Sequence, residues 1–414
     1  MMLRLLVLLL SILPIFANAE SVSSELYLDS RIAVATGEPG WLEGGLGKNR
    51  YGGSFSGGSS DQLHLAELSV LTHWQVNWDL NGFLHLQYDP GQTVATDVIE
   101  GYFVYQPVPE SALKFRFKGG LFFPAISREN TGIAWSSPYT ISSSAINSWV
   151  GEEIRVSGFE FKMTHRSEYG KLSLTGSVFG YNDAAGTILA FRGWSIGDVK
   201  AGVRSRLPLA ELPSIGPNST FVPQPYWVEP VREIDEKIGY FVALDWISHQ
   251  SIKMGVLYYN NRGQPDVVED IQYAWGTEFA NFYIELQLPK QLTVISQHMF
   301  GSTIMGHPIT GTNTWDIDID YSAGFLLLSK KAGKYRASVR YDWFDTEDNS
   351  NLLVDNNNED GSAYTIAVSK QLRKKDLIIA EYVVIDSYRA ARTTIGYAAQ
   401  QKNRLFQISY RLRF

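Results

Sequence analysis

Along most of the chain, apolar and polar residues alternate with a period of two. In ELYLDSRIAVAT, Leu26, Leu28, Ile32 and Val34 share one parity, and Tyr27, Asp29 and Arg31 share the other. Successive side chains of a strand point to opposite faces, so this pattern predicts a strand with one oily and one wet face. HWQVNWDLNG repeats it through Trp74, Val76, Trp78 and Leu80, and its Asn81-Gly82 predicts a hairpin turn. ALKFRFKGG sets Leu113, Phe115 and Phe117 against Lys114, Arg116 and Lys118, and DVKAGVRSRL sets Val199, Ala201 and Val203 against Lys200, Arg204 and Arg206. In DIDIDYSAGF, Ile317, Ile319 and Tyr321 oppose Asp316, Asp318 and Asp320. KYRASVRYDWF opposes Tyr335, Val339, Tyr341 and Trp343 to Lys334, Arg336 and Arg340. The chain ends NRLFQISYRLRF, with Phe406, Ile408, Tyr410, Leu412 and Phe414 on a single face.

The connections between these segments differ in length. Short ones are expected at Pro107–Ser111, Ser167–Gly170, Gly197-Asp198, Ser248–Gln250 and Arg373–Lys375; long polar ones at Gly37–Ser60, Phe123–Gly151, Pro208–Asp235 and Asp345–Gly361. Short turns on one side and long loops on the other are the pattern of a transmembrane β-barrel, with turns periplasmic and loops extracellular. A soluble sandwich gives no reason for such sorting. The expectation is an all-β, antiparallel, closed barrel of about 18 strands. Sixteen is the alternative, because Thr187–Ser195 and residues 271–288 are ambiguous. A terminal strand ending on Phe suits a closing strand whose apolar face meets lipid. It also resembles the sorting signal read by outer-membrane assembly machinery.

Composition narrows the picture. The chain has no cysteine, which excludes disulfides, thiolate metal sites and a lipid-modified N-terminal Cys. Aromatics make up 13%, and no segment beyond the N-terminus holds the ~18 apolar residues of a spanning helix. MMLRLLVLLLSILPIFANAE reads as a signal peptide over residues 1–19, leaving residues 20–414 as a single exported domain. The net charge of −7 includes exposed loops and does not set the sign of the lumen. No metal, cofactor or nucleic-acid partner is expected. The acidic run 345–361 lacks the spacing of a dedicated Ca²⁺ loop, and Gly40–Ser60 lacks that of a phosphate-binding loop. None of the seven histidines sits in a nucleophile motif, so no enzyme is expected. Ser69 with His73 is allowed by strand spacing.

A barrel of 16–18 strands leaves a water-filled channel, whose selectivity is set by lumen-facing charge and by the loop that narrows it. Three basic rows are expected to face the lumen: Lys114/Arg116/Lys118, Lys200/Arg204/Arg206 and Lys334/Arg336/Arg340. An acidic row, Asp316/Asp318/Asp320, faces it from elsewhere. Residues 123–151 are expected to fold inward as a constriction, pinned by Trp135, Pro138, Tyr139 and Trp149, with Arg128 and Glu129 lining the eyelet.

The run IEGYFVYQPVPESALKFRFKGGLFFPAISREN (roughly residues 97–130) resembles the region preceding the third loop of phosphate-selective porins. That resemblance implies a trimeric, 16-stranded outer-membrane channel drawing anions along a basic ladder, with Lys114, Arg116 and Lys118 on the basic strand. Residues 123–151 carry one basic residue, Arg128, so it does not extend to a lysine-rich phosphate site. The chain is thus read as a porin for passive diffusion of small hydrophilic solutes, leaning toward anions, in contact with outer-membrane lipid and lipopolysaccharide. The competing readings are a channel specific for organic acids or sugars, and a non-conducting enzyme or receptor barrel.

Overall fold

A computed structural model describes residues 20–54, 59–312, 314–350 and 356–414; the expected leader, residues 1–19, lies outside the described residues. Sixteen strands close into a single antiparallel barrel. In chain order they are β1 (Ser21–Thr36), β2 (Ser60–Gln75), β3 (Leu80–Tyr88), β4 (Thr96–Tyr105), β5 (Leu113–Phe122), β6 (Val156–Ser167) and β7 (Gly170–Gly180). After a long excursion come β10 (Gly239–Ile247), β11 (Ile252–Asn260), β14 (Gly276–Leu288), β15 (Leu292–Pro308) and β16 (Trp315–Ala332). The last four are β17 (Tyr335–Asp348), β18 (Glu359–Gln371), β19 (Asp376–Arg389) and β20 (Gln400–Arg413). Two short pairs, β8 (Leu207–Pro208) with β9 (Trp227–Val228) and β12 (Val268–Glu269) with β13 (Gln272–Tyr273), stand apart from the barrel.

The terminal segment closes the cylinder. β20 pairs with β1 from Tyr27↔Arg413 to Thr36↔Arg404, and Phe414 N donates to Leu26 O at 3.0 Å. Closure leaves no unpaired sheet edge, which a hydrocarbon environment would penalise heavily. The outer face is apolar, as the alternation requires. Val242 on β10 is 47% exposed and Ile366 on β18 is 55% exposed, while their chain neighbours Phe241 and Thr365 are buried. Among the described residues, no helix is long and apolar enough to cross a membrane.

Sixteen, not eighteen, is the count, and the reason lies in one loop. DVKAGVRSRL alternates like a strand yet belongs to L4 (residues 181–238), which joins β7 to β10 and lies folded against the barrel's interior. The ambiguous Thr187–Ser195 stretch opens as a short helix, α2 (Thr187–Phe191), buried throughout. Nor does the chain turn at Asn81-Gly82. Asn77 accepts from the backbone N–H groups of Asp79 and Leu80 and makes the turn itself. Gly82 lies within β3, where an added Cβ would come within 2.9 Å of the Phe103 ring. Its glycine serves close packing, not a left-handed turn.

The hydrophobic core sits inside the barrel. L3 (residues 123–155) and L4 enter from the long-loop end and pack against the inner wall. Helix α1 (Ala145–Glu152) is buried along its whole length, and Ser144 caps it by accepting from Asn147 N at 3.3 Å. Its Trp149 meets Trp194 of L4, Phe279 of β14 and Tyr321 of β16 edge-on, with ring centroids 5.4–5.8 Å apart. This is protein-interior packing where an unobstructed channel would hold water.

Candidate functional site

L3 crosses the lumen and is tied to the far wall. Arg340 of β17 donates to Glu129 (2.9 Å), Asp342 (2.8 Å), the carbonyls of Ser142 (2.8 Å) and Ser143 (2.9 Å), and Thr140 Oγ1 (3.3 Å). Glu381 of β19 accepts from the Ile141 and Ser142 N–H groups, and Arg411 of β20 donates to Ser137 O. Period two put Arg340 on the inner face. What it does there is set by the loop carbonyls it meets.

Between L3 and the inner wall lies a group of charges in which Arg116, Arg128, Lys162 and Lys253 are partly exposed while Lys118, Glu160, Asp245 and Glu285 are buried. Arg128 of L3 donates to Asp245 of β10 (3.2 Å) and stacks over the Tyr283 ring at 3.5 Å. Tyr283 OH also donates to Asp245 (2.6 Å), and Lys162 of β6 lies 3.5 Å from it. Arg116 and Lys118 of β5 share one carboxylate, Glu160 of β6, at 3.0 and 3.2 Å. Lys253 pairs with Glu285 at 2.9 Å. Lys114 and Arg336 form no ion pair among the described residues; Arg336 donates to Ser329 Oγ and lies over the Tyr139 ring. Glu160 and Asp245 are each shared by two cations, Glu285 holds one, and Lys114 and Arg336 pair with no acid among the described residues, so the region is net positive.

Other sequence-predicted positions fall elsewhere. Glu129 is fully buried, accepting from Ser144 N, Asn147 and Arg340, and does not line the eyelet. Lys200 is also buried, bound to Glu67 (2.6 Å) and Ala134 O (3.0 Å). Arg204 lies at the exposed rim beside Asp97, and Arg206 pairs with Glu229 over the Trp227 ring, so these three form no ladder. Lys334 is in the turn between β16 and β17. The acidic row is on the opposite face. Asp316, Asp318 and Asp320 share the parity of outward Leu326, 43% exposed, whereas Ile317, Ile319 and Tyr321 point inward and are buried. The physical reason is the apolar loop core, which gives β16 an oily neighbour inside. Asp316–Asp320 sit at the long-loop end of β16.

Glu160, Lys162, Asp245 and Tyr283 were legible in period two, since Phe159, Phe161, Leu244, Phe282 and Ile284 alternate with them. A second buried cluster was not. Asp198, in L4, reaches Arg31 of β1 (2.5 Å) and Arg50 (3.2 Å); Arg31 also binds Asp29 (2.7 Å), and Arg50 binds Asp89 (2.9 Å). Nearby, Ser69 meets His85 rather than His73, at 2.9 Å, with Glu67 as a third member. Both Ser69 and His85 are fully buried, which bars a substrate from reaching them.

L4 carries a titratable carboxylate cluster. Asp183, Glu233 and Asp235 bring carboxylate oxygens within 4.8 Å of one another. Burial, with the nearby Asp235 and Glu233 charges, pushes Asp183 up to about 7, although it accepts from Ile234 N and Asp235 N. A carboxyl raised in the folded state contributes stability that is present below its ordinary pKa and lost as pH rises through about 7. Full ionisation costs roughly 4 kcal/mol on this basis. Amide exchange over residues 181–183 and 232–235, corrected for intrinsic rate and run in EDTA, is therefore expected to be faster at pH 8 than at pH 5. Asp183→Asn is expected to flatten that dependence.

No protein family model and no curated protein matches the chain. Solved structures do match its fold. The outer-membrane channel DcaP of Acinetobacter baumannii aligns over 95% of this chain and 98% of its own, with 9% identity and a TM-score of 0.55. The anion-selective porin of Comamonas acidovorans covers 95% and 99%, at 10% identity and 0.52. The trimer form of OmpT from Vibrio cholerae covers 95% and 100%, at 9% and 0.51. The fold is that of the bacterial outer-membrane porins.

Proposed function

We propose that the protein is an outer-membrane channel through which small hydrophilic solutes diffuse passively, with a preference for anions and no catalytic step. The observation that carries this reading is the charge count beside L3. Lys114, Arg116, Lys118, Arg128, Lys162, Lys253 and Arg336 face Glu100, Glu160, Asp245 and Glu285. Seven cations against four carboxylates in a narrow, low-dielectric passage attract anions and repel cations. The likeness to an anion-selective porin agrees with it.

The membrane partners follow from the outer surface. The aliphatic outer face of β1 and β2 (Ile32, Val34, Leu63, Val70) suits contact with further copies in a trimer, as in the trimeric OmpT form. The remaining wall meets outer-membrane lipid and lipopolysaccharide, and the strand ending at Phe414 is the segment for the assembly machinery to engage.

The test is a reversal potential in planar bilayers under a KCl gradient. Wild type is expected to show the anion-selective sign, and Lys114→Glu with Arg116→Glu to move it toward cation selectivity. A cation-selective wild type, or folded protein that never conducts, would overturn the proposal.

A further inference from the structure

The basic wall has an aromatic neighbour. His73 of β2, Phe83 of β3 and Tyr102 of β4 are consecutive cross-strand partners on the inner face. Their ring centroids are 4.8 and 5.1 Å apart, forming one ribbon around the wall. The ribbon leads to the cations, since Lys118 Nζ lies 5.7 Å from the Tyr102 ring centroid. Lys118 and Arg116 share the carboxylate of Glu160, and the next carboxylate, Glu100, lies close to both Lys118 and Arg155, so three cations meet two carboxylates and one positive charge is left over. None of the three rings is sealed: Phe83 and Tyr102 are partly exposed, and His73 is exposed.

Packing explains only part of this. Phe83 touches the small cluster of Tyr27, Leu71 and Ala134, and so helps seat L3. Tyr102 packs partly against the main interior cluster and stays partly exposed, and packing alone does not account for a cation held beside it. A partly exposed ring beside a cation group with surplus positive charge is the recognition chemistry of a molecule with a flat apolar body and one anionic end. The ring stacks, and the carboxylate reaches Lys118 and Arg116.

We propose that this ribbon and the adjacent cations form a solute-binding track for organic carboxylates that carry an aromatic ring, favouring them over small aliphatic acids of equal charge. The inference rests on the channel reading above and names the solute class for it. A neutral sugar also stacks on rings, but it gains nothing from the cations, so the track favours the acid.

Benzoate and acetate carry the same charge and differ in the ring. Added as sodium salts to the periplasmic-side chamber at constant ionic strength, each is titrated against the single-channel chloride current. In wild type, benzoate is expected to reach half-block at about one-tenth the acetate concentration, the size of one aromatic stacking contact. Tyr102→Leu and Phe83→Leu keep an apolar side chain and are expected to bring the two acids to within about twofold. Tyr102→Phe keeps the ring and the discrimination. Lys118→Gln is expected to weaken both acids together and preserve their ratio. Equal block by the two acids in wild type, survival of the ratio in both leucine variants, or block by glucose at benzoate concentrations would overturn the track. Any of these with an anion-selective reversal potential sinks this inference and leaves the channel reading standing; a cation-selective potential sinks the channel reading itself.

Discussion

Arg340→Met is expected to release L3 from the far wall, lowering the barrel's thermal stability in detergent and raising single-channel conductance. Arg340 is fully buried, and its guanidinium contacts two carboxylates, two carbonyls and two hydroxyls. Removing one member of a buried ion pair costs about 3–5 kcal/mol, because the partner stays buried with its charge uncompensated. Here both Glu129 and Asp342 would be left so. Methionine fills much of the volume, which isolates the charge effect from a cavity. Most of the strain falls on L3, since four of the six contacts are loop atoms, whereas the backbone ladder from β17 to β18 is independent of the side chain. A wider passage and an earlier unfolding transition should appear together. Unchanged conductance and an unchanged transition would show that the L3 anchor lies with Glu381 and Arg411 instead.

Asp198→Leu is expected to loosen L4 in the same sense, with a smaller effect. Burial works against ionisation of Asp198, but the Arg31 and Arg50 guanidiniums outweigh it and hold the carboxyl below the ordinary carboxylate range. A depressed pKa contributes stability above the ordinary value and loses it as pH falls through the folded one. The wild-type clamp should therefore persist across neutral and mildly acidic pH. The loss on substitution is put at about 3 kcal/mol, the low end for a broken buried pair, because Arg31 keeps Asp29 and Arg50 keeps Asp89. Conductance at pH 7 is the readout. A rise in Asp198→Leu that falls short of Arg340→Met supports the ranking, and no rise at all removes L4 from the conduction pathway.

Both variants act on contacts that no local pattern announces. Arg340 lies 211 positions from Glu129, and Asp198 lies 167 from Arg31. The alternation that placed Arg340 inside carried nothing about which loop would arrive there. The same limit explains the two errors of direction. DVKAGVRSRL has strand periodicity, yet its Val199 and Ala201 bury against the loop core while Lys200 reaches Glu67, so the period reports a two-sided environment rather than a strand. DIDIDYSAGF is a strand, but its apolar parity faces inward.

What the sequence determined by itself is the existence of the strands, the sorting of turns and loops to opposite ends, the closing role of NRLFQISYRLRF and the inward basic row on β5. Each is a consequence of the two-residue period and of local turn chemistry, both readable within a dozen residues. Which face of β16 meets water, where L4 goes, and which carboxylate neutralises which cation were decided only by the tertiary structure. Alternation separates two faces without saying what lies beyond either, and here the inner face meets water at one height and a packed loop core at another.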